Sequence, residues 1–301
     1  MILRKYLSLF KSNSIGTIMS WQELDYESVG LMLSSALIAV AELLIFFGHF
    51  SAAATIHAIN LIALVLSAAY IQNRVYPVLM LLPLFRLLNL AMPVFFSLTL
   101  YSFPLVYAPM FIPIYLIIKE GSLSRQELGL TLRGIHYYVP LGIAVGMLLG
   151  WCECRVLHPE VLTPDVGIEG FLELSVVMIF FVGFVEEFVF RSALQTVASE
   201  KLGRVKGLLV TSLLFGFMHG GYHLTSEIIF TFFASLVFGI LFLKTSSLPL
   251  MALAHGVTNI SLFLIVPVYS ELLLPILAIS LILVGIFAYG SRDPKLSLRP
   301  D

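Results

Sequence analysis

Apolar stretches close to the length of a bilayer crossing follow one another along almost the whole chain, at 29–48, 54–72, 76–97, 100–118, 137–152, 171–199, 205–221, 227–243, 248–268 and 272–290. A helix needs about 20 such residues to cross the hydrocarbon core, where every backbone N–H and C=O must be satisfied within the protein. The pattern predicts an all-α polytopic transmembrane helical bundle of about ten spans, with eight or nine as alternative counts. Charge agrees with this, since only 12% of the 301 residues are charged, about half the share found in soluble domains. An ordinary soluble enzyme is excluded. The stretch 76–118 is the hardest to divide, because Pro77, Pro83, Pro93, Pro104, Pro109 and Pro113 interrupt it.

Basic residues assign each loop a side. With a cytoplasmic N-terminus, the inner loops receive 14 of the 17 Lys and Arg residues: Arg4, Lys5, Lys11, Arg74, Lys119, Arg125, Arg133, Lys201, Arg204, Lys206, Lys244, Arg292, Lys295 and Arg299. Arg155 alone falls outside, in an acidic loop with Glu153, Glu160, Asp165 and Glu169, while Arg86 and Arg191 fall within helices. Both termini are therefore expected in the cytoplasm. The polar stretch LSRQELGLTLRG divides N-terminal transmembrane helices (1–124) from a C-terminal core (125–290), with a cytoplasmic tail at 291–301. The opening MILRKYLSLFKSNSIG breaks its apolar character at Lys11 and carries no cleavage box, so it does not read as a removed signal peptide. A net charge of -1 without a basic tract points away from nucleic acid. Cys152 and Cys154 are too close to bridge readily. They read as free thiols at a helix end, not as a metal site with His158.

The polar residues inside apolar segments carry the functional information. In VEEFVFR, Glu187 and Arg191 stand four apart, so they meet on one helix face and neutralise one another. Glu186 points about 100° away and keeps no sequence-local partner. A carboxylate in such surroundings is suited to general acid–base work. LLFGFMHGG places Phe215 and His219 on one face, and MALAHGVTN does the same for His255 and Asn259. Glu186 lies 15 residues before Lys201, His219 lies 15 after Arg204, and Asn259 lies 15 after Lys244. At 1.5 Å per residue these groups share a depth about 20 Å up their helices. Singly each has a plain packing reading; together at one depth, costly ionisable groups point to function. Glu42, His57, Asn60, Arg86 and Asn89 read as packing, with Glu42–Arg86 as a candidate pair.

The ordered set EExxxR (Glu186, Glu187, Arg191), FxxxH (Phe215, His219) and HxxxN (His255, Asn259) resembles the CPBP family, the type II CAAX prenyl endopeptidases and their bacterial relatives, also called ABI proteins. The resemblance spans roughly 125–290; Ser192 departs from the glycine that many relatives carry after the arginine. It implies an intramembrane glutamic-type endopeptidase without a cofactor. Glu186 would act as general base, His219 would orient the water, and His255 with Asn259 would form an oxyanion hole. Glu187, Arg191 and Phe215 would support them. It also implies a membrane-associated protein or peptide as substrate, in a multi-pass protein of the cell (inner) membrane. Two alternatives stay open: a zinc protease with Glu186, His219 and His255 as ligands, and a non-catalytic immunity or scaffold protein of the same fold. Gly183, Gly216, Gly220 and Gly256 are expected to leave room for a polar, water-filled cone beside the site.

Overall fold

The computed structural model describes residues 26–71, 73–95 and 99–290; the segment around Lys11 and the 291–301 tail lie outside the described residues. The helices are α1 (Tyr26–Phe46), α2 (Phe50–Tyr70), α3 (Val75–Phe95), α4 (Ser102–Lys119), the short α5 (Arg125–Leu128), α6 (Ile135–Leu157), α7 (Ile168–Leu202), α8 (Arg204–Phe217), α9 (Thr225–Thr245), α10 (Leu248–Val268) and α11 (Ser270–Gly290). No strand occurs among the described residues.

Each of the ten apolar stretches is mostly helical where it is described, and eight helices among the described residues are long and apolar enough to cross a membrane. Of the other two, α8 has 14 residues and α3 runs from Val75 to Phe95. Eight lies within the expected range of eight to ten spans. The prolines of 76–118 do not break the chain. They instead tighten α4 into a 3₁₀ turn at Ala108–Met110 between its two α-helical halves.

Loops assigned to one side meet at one end of the bundle. Arg74 bonds Glu127 at 2.7 Å and also pairs with Glu200, while Lys201 pairs with Glu27. At the other end His223 Nδ1 lies 2.8 Å from the Phe46 carbonyl, and the Tyr101 hydroxyl donates to Glu173 at 2.9 Å. The alternation of ends required by the sidedness reading is thus present for α1 to α10.

The linker is locally determined. Ser124 caps α5 by accepting from the Glu127 N–H at 3.2 Å, and Glu127 returns a bond to the Ser124 N–H at 2.8 Å, a reciprocal capping box. Gly129 then ends the turn with φ +66, a conformation that favours glycine. Although the linker separates two sequence groups, one core joins them: Leu31, Leu79 and Met110 belong to the same buried cluster as Phe188 and Leu194. Ser192 Oγ donates to the Leu128 carbonyl at 2.7 Å, and Gln195 Nε2 donates to the Gly239 carbonyl at 2.9 Å. Both bonds pin the lower half of α7.

Close approach through small residues assembles the centre, as is usual where no hydrophobic drive acts between helices. Gly142, Gly146 and Gly150 form a stripe on α6, and a Cβ at Gly146 would stand 2.6 Å from the Ala254 carbonyl oxygen of α10. With α6 and α7 both pressed on it, α10 has 61% of its apolar window buried, against 6% for α11 at the periphery.

Candidate active site

Glu186 and Glu187 sit on a single α-helical turn, Phe184–Glu187, between π-helical stretches at Val177–Gly183 and Phe188–Gln195. Wide turns of this kind gather at functional sites. The pairing inferred from spacing is present: Arg191 Nε donates to Glu187 Oε2 at 2.9 Å, with both side chains fully buried. Arg191 also donates to Ser235 Oγ at 3.0 Å. Its guanidinium is boxed by Phe190, Phe215 and Phe238, with the Phe215 ring centroid 5.0 Å away.

The other oxygen of Glu187 reaches His255. Nδ1 of His255 lies 2.8 Å from Glu187 Oε1, and because a carboxylate only accepts, Nδ1 carries the proton. The imidazole is held flat against Phe238, with ring centroids 5.7 Å apart and an interplanar angle of 16°. Its Nε2 faces Glu186 Oε2 across 3.8 Å. That gap exceeds hydrogen-bond reach and is one at which a bridging water is to be considered.

Glu186 does have a partner, and the sequence did not disclose it. The Tyr107 hydroxyl donates to Glu186 Oε1. Tyr107 is buried on α4, where Phe85 meets it edge-on and Phe103 stacks on it. It stands immediately before the 3₁₀ turn, so the proline-rich stretch that obscured the span count is what aims this hydroxyl. Glu186 Oε2 accepts no hydrogen bond from the described residues, so one oxygen is fixed and the other is left open.

His219 does not lie on a helix. α8 stops at Phe217, and His219 follows in the turn, a correction to the reading of 205–221 as one continuous helix. The FxxxH spacing still operates, since His219 Nδ1 lies 2.9 Å from the Phe215 carbonyl oxygen. A carbonyl only accepts, so Nδ1 holds the proton and Nε2 presents a lone pair. Glu186 is within electrostatic reach of this ring. Phe215 packs between the histidines, 4.7 Å from His219 and 6.1 Å from His255 by ring centroids. Asn259 is half-buried one turn beyond His255 and makes no side-chain hydrogen bond among the described residues.

The N-terminal helices brace the His219 turn. Arg86 Nε donates to Glu42 Oε1 at 2.6 Å, and its terminal nitrogen donates to the Met218 carbonyl. His57 Nε2 lies 3.3 Å from the same Glu42 oxygen. The candidate Glu42–Arg86 pair is therefore real and reaches the site. Asn60 donates to Ser34 Oγ at 3.1 Å and Asn89 to the Phe85 carbonyl at 3.0 Å, both packing roles.

Two further readings change. Glu153 is not in an outer loop: it is buried on α6, near the buried Glu227 of α9 and within electrostatic reach of Glu186. The four glycines do not open a cone; they let backbones touch. A Cβ at Gly183 would stand 2.5 Å from the Ala252 carbonyl oxygen and 3.2 Å from the Gly256 nitrogen. At Gly216 it would stand 2.9 Å from the Ile228 carbonyl oxygen, and at Gly220 3.2 Å from that of Glu42. Among the described residues no group of three or more His, Cys, Asp or Glu is arranged to hold a metal, and Glu186, His219 and His255 are not drawn into one. Cys152 and Cys154 are free thiols.

Residues 169–261 match the family model described as type II CAAX prenyl endopeptidase Rce1-like. Over this stretch the match supports membership of the CPBP family. The matched stretch runs from α7 to the middle of α10 and holds all three motifs, whereas α1 to α6 and α11 lie outside it. No curated protein and no solved structure gave a match to the chain. The CPBP family is a protease family, and the match together with the apolar helices supports a multi-pass membrane peptidase.

Proposed function

We propose that the chain is an intramembrane endopeptidase of the glutamic type, in which Glu186 activates the hydrolytic water. The observation that carries this is the two-sided setting of Glu186. Oε1 is fixed by Tyr107, while Oε2 accepts from no donor among the described residues and faces His255 Nε2 across 3.8 Å. A water at Oε2 gives up a proton to the carboxylate and hydrogen-bonds to the lone pair of His219 Nε2. Its oxygen attacks the scissile carbonyl.

The carbonyl oxygen then becomes an oxyanion, stabilised by preorganised donors in a low-dielectric site. Asn259 supplies an amide N–H. His255 supplies Nε2–H, and since Nδ1–H is committed to Glu187, the ring donates there as an imidazolium. The Glu187 carboxylate offsets its charge. Collapse of the intermediate breaks the C–N bond, and protonated Glu186 returns its proton to the leaving nitrogen. The products are one carboxylate and one amine. Arg191 pairs with Glu187 and aligns it, so the pair positions His255 without touching substrate.

The substrate in this reading is a membrane-associated protein or a peptide tail, prenylated as the family description would suggest or otherwise membrane-bound, cut in the cell membrane. Terminal proteomics on membranes from cells carrying wild type or Glu186→Gln tests the whole reading. The expected result is one or more membrane proteins accumulating uncleaved in the variant, because loss of a general base removes about 10²–10⁴ in rate. Identical termini in both strains, at equal protein levels, would overturn it.

A further inference from the structure

The inner face of α6 carries Glu153 and the glycine stripe; its opposite face lines a cavity of about 770 Å³ closed by α11. That size lies within the range of small-molecule sites. The lining is sorted along the helices. Arg155, His158 and Ser270 stand where α6 ends and α11 begins, whereas Leu148, Leu274 and Leu277 line the part further along. Arg155 and Leu148 are seven residues apart on α6, so the polar and apolar ends are about 10 Å apart. A cavity of this layout fits an amphiphile with a polar head and an apolar tail.

The sign of the head follows from the charges. Arg155 is the one Lys or Arg between Arg133 and Arg191. Glu160 and Asp165 follow in the next loop and Glu169 in the first turn of α7, yet Arg155 makes no ion pair among the described residues. It lies over the Trp151 ring, 5.5 Å from the centroid, the amphipathic pairing found at membrane interfaces. His158 lines the same rim from a left-handed backbone conformation, φ +48, which is uncommon for a side-chain-bearing residue. Because α11 is scarcely buried by the rest of the protein, the slot opens towards lipid.

We propose that this cavity is a binding site for one anionic glycerophospholipid. The phosphate is held by Arg155, whose fork geometry suits it, and by His158; an acyl chain lies along Leu148, Leu274 and Leu277. The bound lipid fastens α11 to α6. The site lies across α6 from the catalytic cluster and needs no assumption about the hydrolytic reaction.

Native mass spectrometry of the full chain in detergent, titrated with phosphatidylglycerol and with phosphatidylcholine of matched acyl chains, tests this. Wild type is expected to retain the anionic lipid about tenfold more tightly. The double variant R155Q/H158Q, altered at two exposed residues, should bind both lipids equally. Leu274→Trp, at a position 72% exposed to the bilayer side, should weaken both by filling the slot. Glycerol 3-phosphate should not compete at equal concentration, because the tail contributes the larger share. Equal binding of the two lipids to wild type would refute the proposal. So would a preference that survives R155Q/H158Q, or tight binding of glycerol 3-phosphate alone.

Discussion

Removing Arg191 should strand Glu187, and the structure gives the size of the effect. Arg191 and Glu187 are both fully buried and joined at 2.9 Å. Deleting one member of such a pair costs about 3–5 kcal/mol, because the other charge is left without compensation. Two features refine that figure for Arg191→Met. The His255 Nδ1–H still donates to Glu187 at 2.8 Å, which places the loss from the stranded charge near the lower end. Loss of the guanidinium from its box of Phe190, Phe215 and Phe238 removes about 1 kcal/mol more. A methionine fills that box without strain, so the loss is electrostatic and not a cavity effect. Glu187→Gln strands Arg191 instead and should lose about 3 kcal/mol. In the double variant no charge is stranded, and its loss should be close to that of either single change. The coupling in a double-mutant cycle is then about 3 kcal/mol. Reversible unfolding in mixed detergent micelles measures all four proteins. Losses that add to within about 0.5 kcal/mol would refute the reasoning.

Tyr107→Phe should lower kcat about tenfold with little change in KM, through loss of alignment at Glu186. Its stability should fall by no more than about 1.5 kcal/mol, the net worth of one hydrogen bond; unchanged kcat would remove Tyr107 from the mechanism. Cysteines placed at Gly183 and Gly256, in a background lacking Cys152 and Cys154, should resist a membrane-impermeant maleimide from either side. Labelling of either would mean that the α7–α10 contact opens. Glu127 is partly buried, which works against its charge, but its bonds to Ser124 and Arg74 hold its carboxyl below the usual range. That contribution is present above the ordinary carboxylate pKa and is lost as pH falls through the lowered one. Amide exchange of residues 123–129 should therefore quicken in acid, in excess of the intrinsic change, and Glu127→Gln should abolish the excess.

The fold class was legible because hydropathy runs register directly in sequence, and the loop pairing Arg74–Glu127–Glu200 fits the alternation that the basic residues required. Glu187–Arg191 was legible because both residues lie on one helix, where spacing becomes contact. Tyr107 was not: it reaches Glu186 from a helix 79 residues earlier, and one tyrosine among prolines carries no periodic signal. Glu153 was misplaced because a carboxylate near a helix end looks the same whether it faces solvent or a second carboxylate. The glycines were misjudged because a missing side chain admits either water or another backbone, and only the neighbouring helix decides which.

The π-helical stretches on either side of Glu186 bear on which changes of length the gene can tolerate. Each wide turn holds more residues than an α turn covering the same rise. Deleting one residue from Phe188–Gln195 could restore regular α geometry without disturbing any loop, and in an isolated helix that would be harmless. In this chain the residues within the wide turn would be redistributed around the helix, by up to about 100° relative to the glutamates. Ser192 and Gln195 would leave the Leu128 and Gly239 carbonyls, and Arg191 would leave Glu187. Insertions and deletions that a surface loop absorbs are therefore barred from α7. Here it is the number of residues between the glutamates and the two anchors, as much as their identity, that selection must hold fixed.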